Sequence, residues 1–496
     1  MNNPHMETLK EALGAFRAGD LALARDLSET ILKQNPDNPG ALRILGQVCY
    51  LEGEPEGAAE LLEKSLKVKP DQYSIWLKLG NIKADLGDHK GAIAIYSKAL
   101  DCSQTPDLAF LSRAQSHSAL GKDQEAWADL GEAVRVNPAL GQAYRMMILL
   151  EHPAASEAAW EQNLLERLVN GLFQREDAIQ AHYALAGYYE NTGDQKRMWN
   201  NLNQANGLQK NLALPWTGRF ENQMSRSREV LTAGLLEKAP AGANKSLTPI
   251  FIVGMPRSGS TLLEQMLSRH AEIGAAGETG ALTRTIGRLQ GQMTLLPYPE
   301  GLDMLAQDDL TALAKDYQET LEKASGAKAA KAKIFVTDKL LSNGFFVGFI
   351  KLILPWAKVI HIRRDPLDTA LSIYKNYFWE QQNPELCSLK DIGMYARFLG
   401  EMMAHWKSLL PGFVHEASYE ELVENPEAAL RKIIDFIGLP WDARCLDHRG
   451  SEKRAETLSS TQVRKPLYST SIGSGKKFEA ELAPFLAALA PDQETP

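Results

Sequence analysis

The stretch FIVGMPRSGSTLLEQ, residues 251–265, starts as an apolar strand-like run, turns through a glycine-rich loop and leaves in a helical pattern. Strand, loop and helix in that order put the main-chain N–H groups of residues 257–261 around an anion at a helix N-terminus, where the macrodipole favours negative charge. The widespread nucleotide loop G-x-x-x-x-G-K-[ST] carries a lysine after its second glycine. Here Gly254 and Gly259 are followed directly by Ser260 and Thr261, so the cation available is Arg257, inside the loop, and the two hydroxyls add donors. Taken alone, the loop is equally readable as a plain strand–helix turn, and its surroundings must decide.

Downstream, short strands alternate with helical stretches. PIFIVG (249–254), KIFVTD (333–338), KVIHIR (358–363) and GFVHEA (412–417) are apolar or β-branched runs, as in a parallel sheet with crossover helices. This predicts an α/β domain over 249–490. A linker at 237–248, containing KAPAGANKSLT, precedes it.

Upstream the chain repeats itself. Gly19, Gly53, Gly87 and Gly121 are 34 residues apart, as are Ala24, Ala58, Ala92 and Ala126, and Pro36, Pro70 and Pro138 fall on the same lattice with Gln104 at the missing place. Glycine permits a turn between two helices, the small alanine lets the second helix approach the first, and proline starts the next unit. Segments such as ALRILGQVCYLEG (41–53) and SIWLKLGNIKADLG (74–87) supply apolar residues at helical spacing. The pattern resembles the tetratricopeptide repeat and predicts an all-α array over 1–150. A helical extension over 151–236 would carry a degenerate unit, with Gly193-Asp194 at its turn and Ala205 twelve residues later. Such an array is either a stabilising cap or a concave surface for a protein partner.

Bulk properties exclude several classes. At 496 residues the chain exceeds one core, and 44% hydrophobic with 23% charged residues is ordinary globular material. A net charge of −8 speaks against a nucleic-acid-coating protein, and the basic run KASGAKAAKAK (323–333) reads as a solvated loop. Cys49, Cys102, Cys387 and Cys445 form no C-x-x-C pair, and no H-x-x-x-H set suggests a metal. FFVGFIKLILPW (345–356) is too short to span a membrane and carries Lys351, and the first residues show no signal pattern. The expectation is a reduced, cytoplasmic protein without a membrane span.

A second anion site corroborates the first. IHIRRDPLDTALSIY, residues 360–374, takes a strand into Arg363-Arg364 and a helix after Asp365-Pro366, so that Arg364 and Ser372 could converge on a phosphate. The order His361-Ile-Arg-Arg-Asp365 suggests a kinase catalytic loop, but neither the downstream Asn nor D-F-G follows. PRSGST followed about a hundred residues later by RRDPLDTALS resembles the sulfotransferases that use 3'-phosphoadenosine 5'-phosphosulfate. The likeness extends over most of 248–480, including SYEELVENPEAALRKIIDFIGLPW (418–441), and is closer to the protein-tyrosine sulfotransferases and bacterial tetratricopeptide sulfotransferases than to the cytosolic small-molecule branch.

The resemblance implies a P-loop-like sulfotransferase domain and roles for particular residues. Arg257, Ser258, Gly259, Ser260 and Thr261 would hold the 5'-phosphosulfate, Arg364 and Ser372 the 3'-phosphate, and Tyr419 the adenine. Glu278, in GAAGETGAL, would be the general base; Lys339 and Ser459 would stabilise charge at the bridging oxygen. It implies the nucleotide as co-substrate, adenosine 3',5'-bisphosphate as product, no metal, and a hydroxyl acceptor, first a protein or peptide tyrosine recruited by the array, with a homodimer open. Two positions depart from the family. Gly280 stands where the tyrosine-sulfating branch has an arginine that holds acidic peptide, and Ser474-Gly475 where it has a basic residue and Trp, which leaves Lys476 or Lys477 to compensate. A sugar or small-molecule hydroxyl, a nucleoside-phosphate kinase or NTPase, and a catalytically dead interaction protein are the competing readings.

Overall fold

The computed structural model describes residues 4–150, 158–240, 247–292, 298–325, 334–379, 381–447 and 471–490. The chain divides into two compact units, Met1–Leu208 and Gln209–Pro496.

The first unit is helical: α1 (Pro4–Ala18), α2 (Leu21–Gln34), α3 (Pro39–Leu51), α4 (Pro55–Val68), α5 (Tyr73–Asp85), α6 (His89–Leu100), α7 (Asp107–Ala119), α8 (Asp123–Val136), α9 (Gly141–Leu149), α10 (Ala158–Val169), α11 (Arg175–Thr192) and α12 (Gln195–Lys210). The glycine lattice lies at the turns, where Gly19, Gly53, Gly87 and Gly121 have φ of +81°, +85°, +78° and +74°, a region costly for residues with a Cβ. The alanine lattice lies where paired helices touch, and Ala24, Ala58, Ala92 and Ala126 are wholly buried. A third small-residue series, Ala12, Gly46, Gly80 and Ala114, faces it from the first helix of each pair; a Cβ on Gly80 would sit 2.3 Å from the Tyr96 ring. The degenerate unit has the same turn. Gly193 takes φ +81°, the Asp194 carboxylate accepts the Arg197 N–H at 2.9 Å, and Ala205 is fully buried.

The second unit begins with α13 (Thr217–Val230) and α14 (Ala233–Leu236). The last third of the expected helical extension, from Gln209, therefore belongs with the downstream domain, because Trp216 and Phe220 join the aromatic cluster of Phe345, Tyr395 and Phe398. Five parallel strands follow, β1 (Thr248–Gly254), β2 (Ile273–Ala275), β3 (Phe335–Asp338), β4 (Lys358–Arg363) and β5 (Val414–Ser418), in the order β2-β3-β1-β4-β5. Between them run α15 (Ser260–Ser268), α16 (Ala281–Gln292), α17 (Gln307–Ser325), α18 (Val347–Ile353), α19 (Pro366–Tyr374) and α20 (Leu389–Leu409); α21 (Tyr419–Glu424), α22 (Pro426–Ile437) and α23 (Ala483–Leu489) follow β5.

Both sheet faces are covered, which is why the strands read as apolar runs. Ile250, Ile252, Ile360 and Ile362 pack under α15 and α22, while Phe251 on the other face stacks on Tyr317 of α17. β2, a three-residue edge strand, has too little sequence to show a period and escaped the sequence reading. β1 is flanked by β3 on one side and β4 on the other, so the strand order reverses there. Ligands of open parallel sheets bind outside the strand C-termini at such a switch point.

Candidate active site

The C-terminal ends of all five strands carry or lead into sequence-predicted groups: the loop 257–261, Glu278, Lys339, Arg364 and Tyr419. β1 leads into the loop 254–259, whose Gly259 takes φ +93° and whose Arg257 takes φ +66°, an uncommon strained value for a residue with a side chain. α15 starts at Ser260 without a side-chain cap, so its first N–H groups lack intrahelical acceptors. The Ser258 hydroxyl, 1% exposed, has no hydrogen-bond partner among the described residues. An uncapped helix start beside an orphaned hydroxyl suits an anionic ligand, since burial of such a donor without an acceptor is costly. These residues fit a phosphosulfate.

The second site adjoins the loop. Arg257 Nε donates to Ser372 Oγ at 3.1 Å, and Arg364 donates to the carbonyls of Arg257 and Ser471, each at 3.0 Å. The Arg364 guanidinium lies 4.6 Å over the Tyr419 ring, and the Tyr419 hydroxyl is 3.3 Å from Ser471 Oγ. A Cβ on Gly259 would meet Tyr419 at 2.3 Å, so this glycine is needed for space as well as for φ. Arg257, Gly259, Arg364, Ser372 and Tyr419 thus form one cluster. Beside it lies an open cleft of about 620 Å³ lined by both signs of charge, Arg363, Arg364 and Lys476 with Asp365, Glu416, Glu420 and Glu421.

At β2 and β3 the structure joins the two other candidates. Lys339 Nζ donates to Glu278 Oε1 at 2.7 Å; the lysine side chain is 2% exposed and the carboxylate 48% exposed. A buried ammonium requires such a partner. Directly before it, Asp338 is fully buried and accepts from Tyr317 Oη (2.9 Å), Thr279 Oγ1 (3.3 Å), Leu340 N–H (3.2 Å) and Asn343 Nδ2 (3.2 Å). Burial pushes its carboxyl up to about 6 against these hydrogen bonds, and pushes the Tyr317 phenol well above its ordinary value. Ser459, the remaining catalytic candidate, lies outside the described residues.

Three carboxylates that organise this site went unrecognised in the sequence. Asp368 is buried and accepts from Gly473 N–H at 2.7 Å, Gly475 N–H at 2.6 Å and Ser474 Oγ at 3.2 Å, fastening the loop that carries Lys476. The departure at Ser474-Gly475 thereby has a physical reason. A Cβ at 475 would lie 2.4 Å from the Leu367 carbonyl carbon, so backbone contact with α19 occupies the place of a side chain. Asp338 and Glu264 are the others; a carboxylate among the apolar residues of STLLEQML was the available signal for Glu264. Among the described residues no cluster of three or more His, Cys, Asp or Glu could hold a metal, and no helix is long and apolar enough to cross a membrane.

The repeat array and the parallel-sheet domain with this loop are each similar to known proteins. Residues 249–443 match the model of the sulfotransferase family, and residues 9–67 and 52–107 match the tetratricopeptide repeat. An uncharacterized protein of Aquifex aeolicus (strain VF5) is 29% identical over 75% of this chain and 49% of its own length. Protein-tyrosine sulfotransferase A of Caenorhabditis elegans is 26% identical over 46% of this chain and 60% of its own. The chain thus spans about half to three fifths of these relatives. Among solved structures, the type IV pilus biogenesis factor PilW is similar at TM-score 0.34 and 18% identity, over 42% of this chain and 94% of that one.

Proposed function

We propose that the second unit transfers the sulfuryl group of 3'-phosphoadenosine 5'-phosphosulfate to an acceptor hydroxyl, a protein or peptide tyrosine in the first instance, and that the repeat array recruits that acceptor. The observation that carries the reading is the Glu278–Lys339 pair at 2.7 Å, held at the strand ends where the uncapped start of α15 awaits an anion. The acceptor oxygen attacks sulfur, the bond from sulfur to the bridging oxygen breaks, and adenosine 3',5'-bisphosphate leaves. Glu278 takes the hydroxyl proton, while Lys339, Ser459 and the donors of residues 257–261 stabilise charge on the leaving phosphate. Arg364 and Ser372 hold the 3'-phosphate end, Tyr419 packs beside the base, and Lys476 adds charge at the cleft.

Because Lys339 is engaged with Glu278, a donor phosphate competes for the ammonium, and its success frees the carboxylate to act as a base. Residues 258–261 and the α15 dipole favour that competition. Glu278→Ala is expected to lower transfer of labelled sulfate by about 10²- to 10⁴-fold, the usual worth of a general base. Transfer by the variant at the wild-type rate would remove Glu278 from this role.

Gly280 favours a second reading. With φ +58° and no side chain, it offers nothing to hold acidic peptide, which suits a carbohydrate or small-molecule hydroxyl. A panel of peptide, sugar and phenolic acceptors separates the two. Calorimetric binding of adenosine 3',5'-bisphosphate separates both from a dead interaction protein, which would show none.

A further inference from the structure

Glu264 takes no part in the reaction just described, yet it ties together the elements that carry it. It lies on α15 beside Leu263, Met266 and Leu267 and is 7% exposed. A carboxyl in such surroundings is costly unless its oxygens are engaged. Its Oε1 accepts from the Thr337 hydroxyl at 2.7 Å and from the Gly277 N–H at 3.1 Å. Thr337 stands two residues before Lys339, and Gly277 directly before Glu278. The Gly277 carbonyl in turn accepts the Lys339 N–H at 2.8 Å. One carboxyl oxygen therefore links the loop helix to the ends of β2 and β3. On the far side of Glu278, the Thr279 hydroxyl is held by Asp338. Glu278 is exposed, but both of its neighbours are anchored.

We propose that Glu264 is a positioning residue for the Glu278–Lys339 pair: by holding the Gly277 N–H and the Thr337 hydroxyl, it fixes carboxylate and ammonium relative to the N-terminus of α15. The proposal rests on the sulfuryl-transfer reading. Burial pushes the Glu264 carboxyl up, while the Lys339 ammonium and the hydrogen bonds accepted from Thr337 and Gly277 oppose that rise. A glutamine offers the same acceptor oxygen at nearly the same volume; an alanine offers none. A residue that merely filled the core would, when truncated, cut the folded fraction and so lower donor binding and turnover together.

The test compares full-length wild type, Glu264→Gln and Glu264→Ala in three measurements. These are steady-state transfer of labelled sulfate to a tyrosine peptide, calorimetric binding of adenosine 3',5'-bisphosphate, and hydrogen exchange over residues 276–280. Glu264→Gln is expected to keep kcat within about threefold, and Glu264→Ala to lose roughly 10²-fold, as misplaced catalytic groups do. Bisphosphate affinity should stay within about threefold in both, while exchange at 276–280 accelerates about tenfold or more in the alanine variant alone. Thr337→Val, which removes one of the two donors, should fall between. Proportional loss of kcat and affinity, failure of glutamine to rescue, or unchanged exchange in Glu264→Ala would each overturn the proposal. If wild type transfers no sulfate, the reaction reading fails instead, and the exchange comparison still decides whether Glu264 anchors the loop.

Discussion

Gly259 meets two demands that no other residue satisfies. Its φ of +93° strains any side chain, and a Cβ would stand 2.3 Å from the Tyr419 ring. Gly259→Ala is therefore expected to lower stability by about 1–3 kcal/mol and bisphosphate affinity by roughly tenfold. Denaturant unfolding and calorimetry check the two quantities. Adding Tyr419→Ala should recover the steric share of the lost stability and leave the share due to φ; full recovery would mean that φ costs nothing here. The glycine was legible because strand, loop and helix require one. Its contact with Tyr419 was not, since nothing local in the sequence puts that ring against the loop. The same holds for Asp368 and Glu264, whose partners lie on other elements: a sequence motif marks groups that meet a ligand more readily than the buried carboxyls that hold those groups in place.

At the scale of the strands, acid stability separates two buried groups of opposite sign. His361 of β4 is 7% exposed, with Glu416 Oε1 3.8 Å away and Arg363 and Lys407 on the same carboxylate. Burial lowers the imidazole to about 4, Glu416 opposing and the two cations assisting. A depressed folded value means that stability from this group is complete above about 6.5 and is lost as pH falls towards 4, by roughly 3 kcal/mol at most. Asp338 at the end of β3 works the other way, because its raised value near 6 lets the folded state keep a proton that the unfolded state releases, so acidification from 6 towards 4 stabilises. Urea unfolding from pH 7 to 4.5 should show His361→Gln losing less stability than wild type; an identical slope would mean that His361 is not buried neutral. Four of the five strands were legible as apolar runs because both faces of the sheet are covered. β4 keeps the expected bounds 358–363, β1 starts one residue earlier and β3 two residues later than read, and β5 runs Val414–Ser418 rather than from Gly412, because the period marks the buried middle of a strand more sharply than its termini.

The whole chain joins two kinds of order. The array is periodic, so a few small residues repeated every 34 positions announced it, and the degenerate unit at Gly193 kept only the positions that geometry demands. The second unit is aperiodic, and its reading came from two short motifs at 251–265 and 360–374. The extension between them divided, with α13 joining the second unit, because Trp216 and Phe220 carry no local sign of which core they enter. If the array recruits the acceptor, damage confined to it should change one kinetic constant. Gly80→Val forces a side chain into the Tyr96 ring, overpacking that typically costs about 1–3 kcal/mol, and stacked repeats pass such a loss to their neighbours. In the full-length chain the substitution should lower the array's melting temperature and raise KM for a protein acceptor about tenfold, the effective concentration of a tethered site being lost. Bisphosphate affinity and kcat on a small phenolic acceptor should stay within about twofold, since their candidate groups all lie in the second unit. A fall in bisphosphate affinity that tracks the loss of array stability would show the repeats to be part of the donor site's scaffold, and an unchanged KM for protein acceptors would leave the array without a part in recruitment.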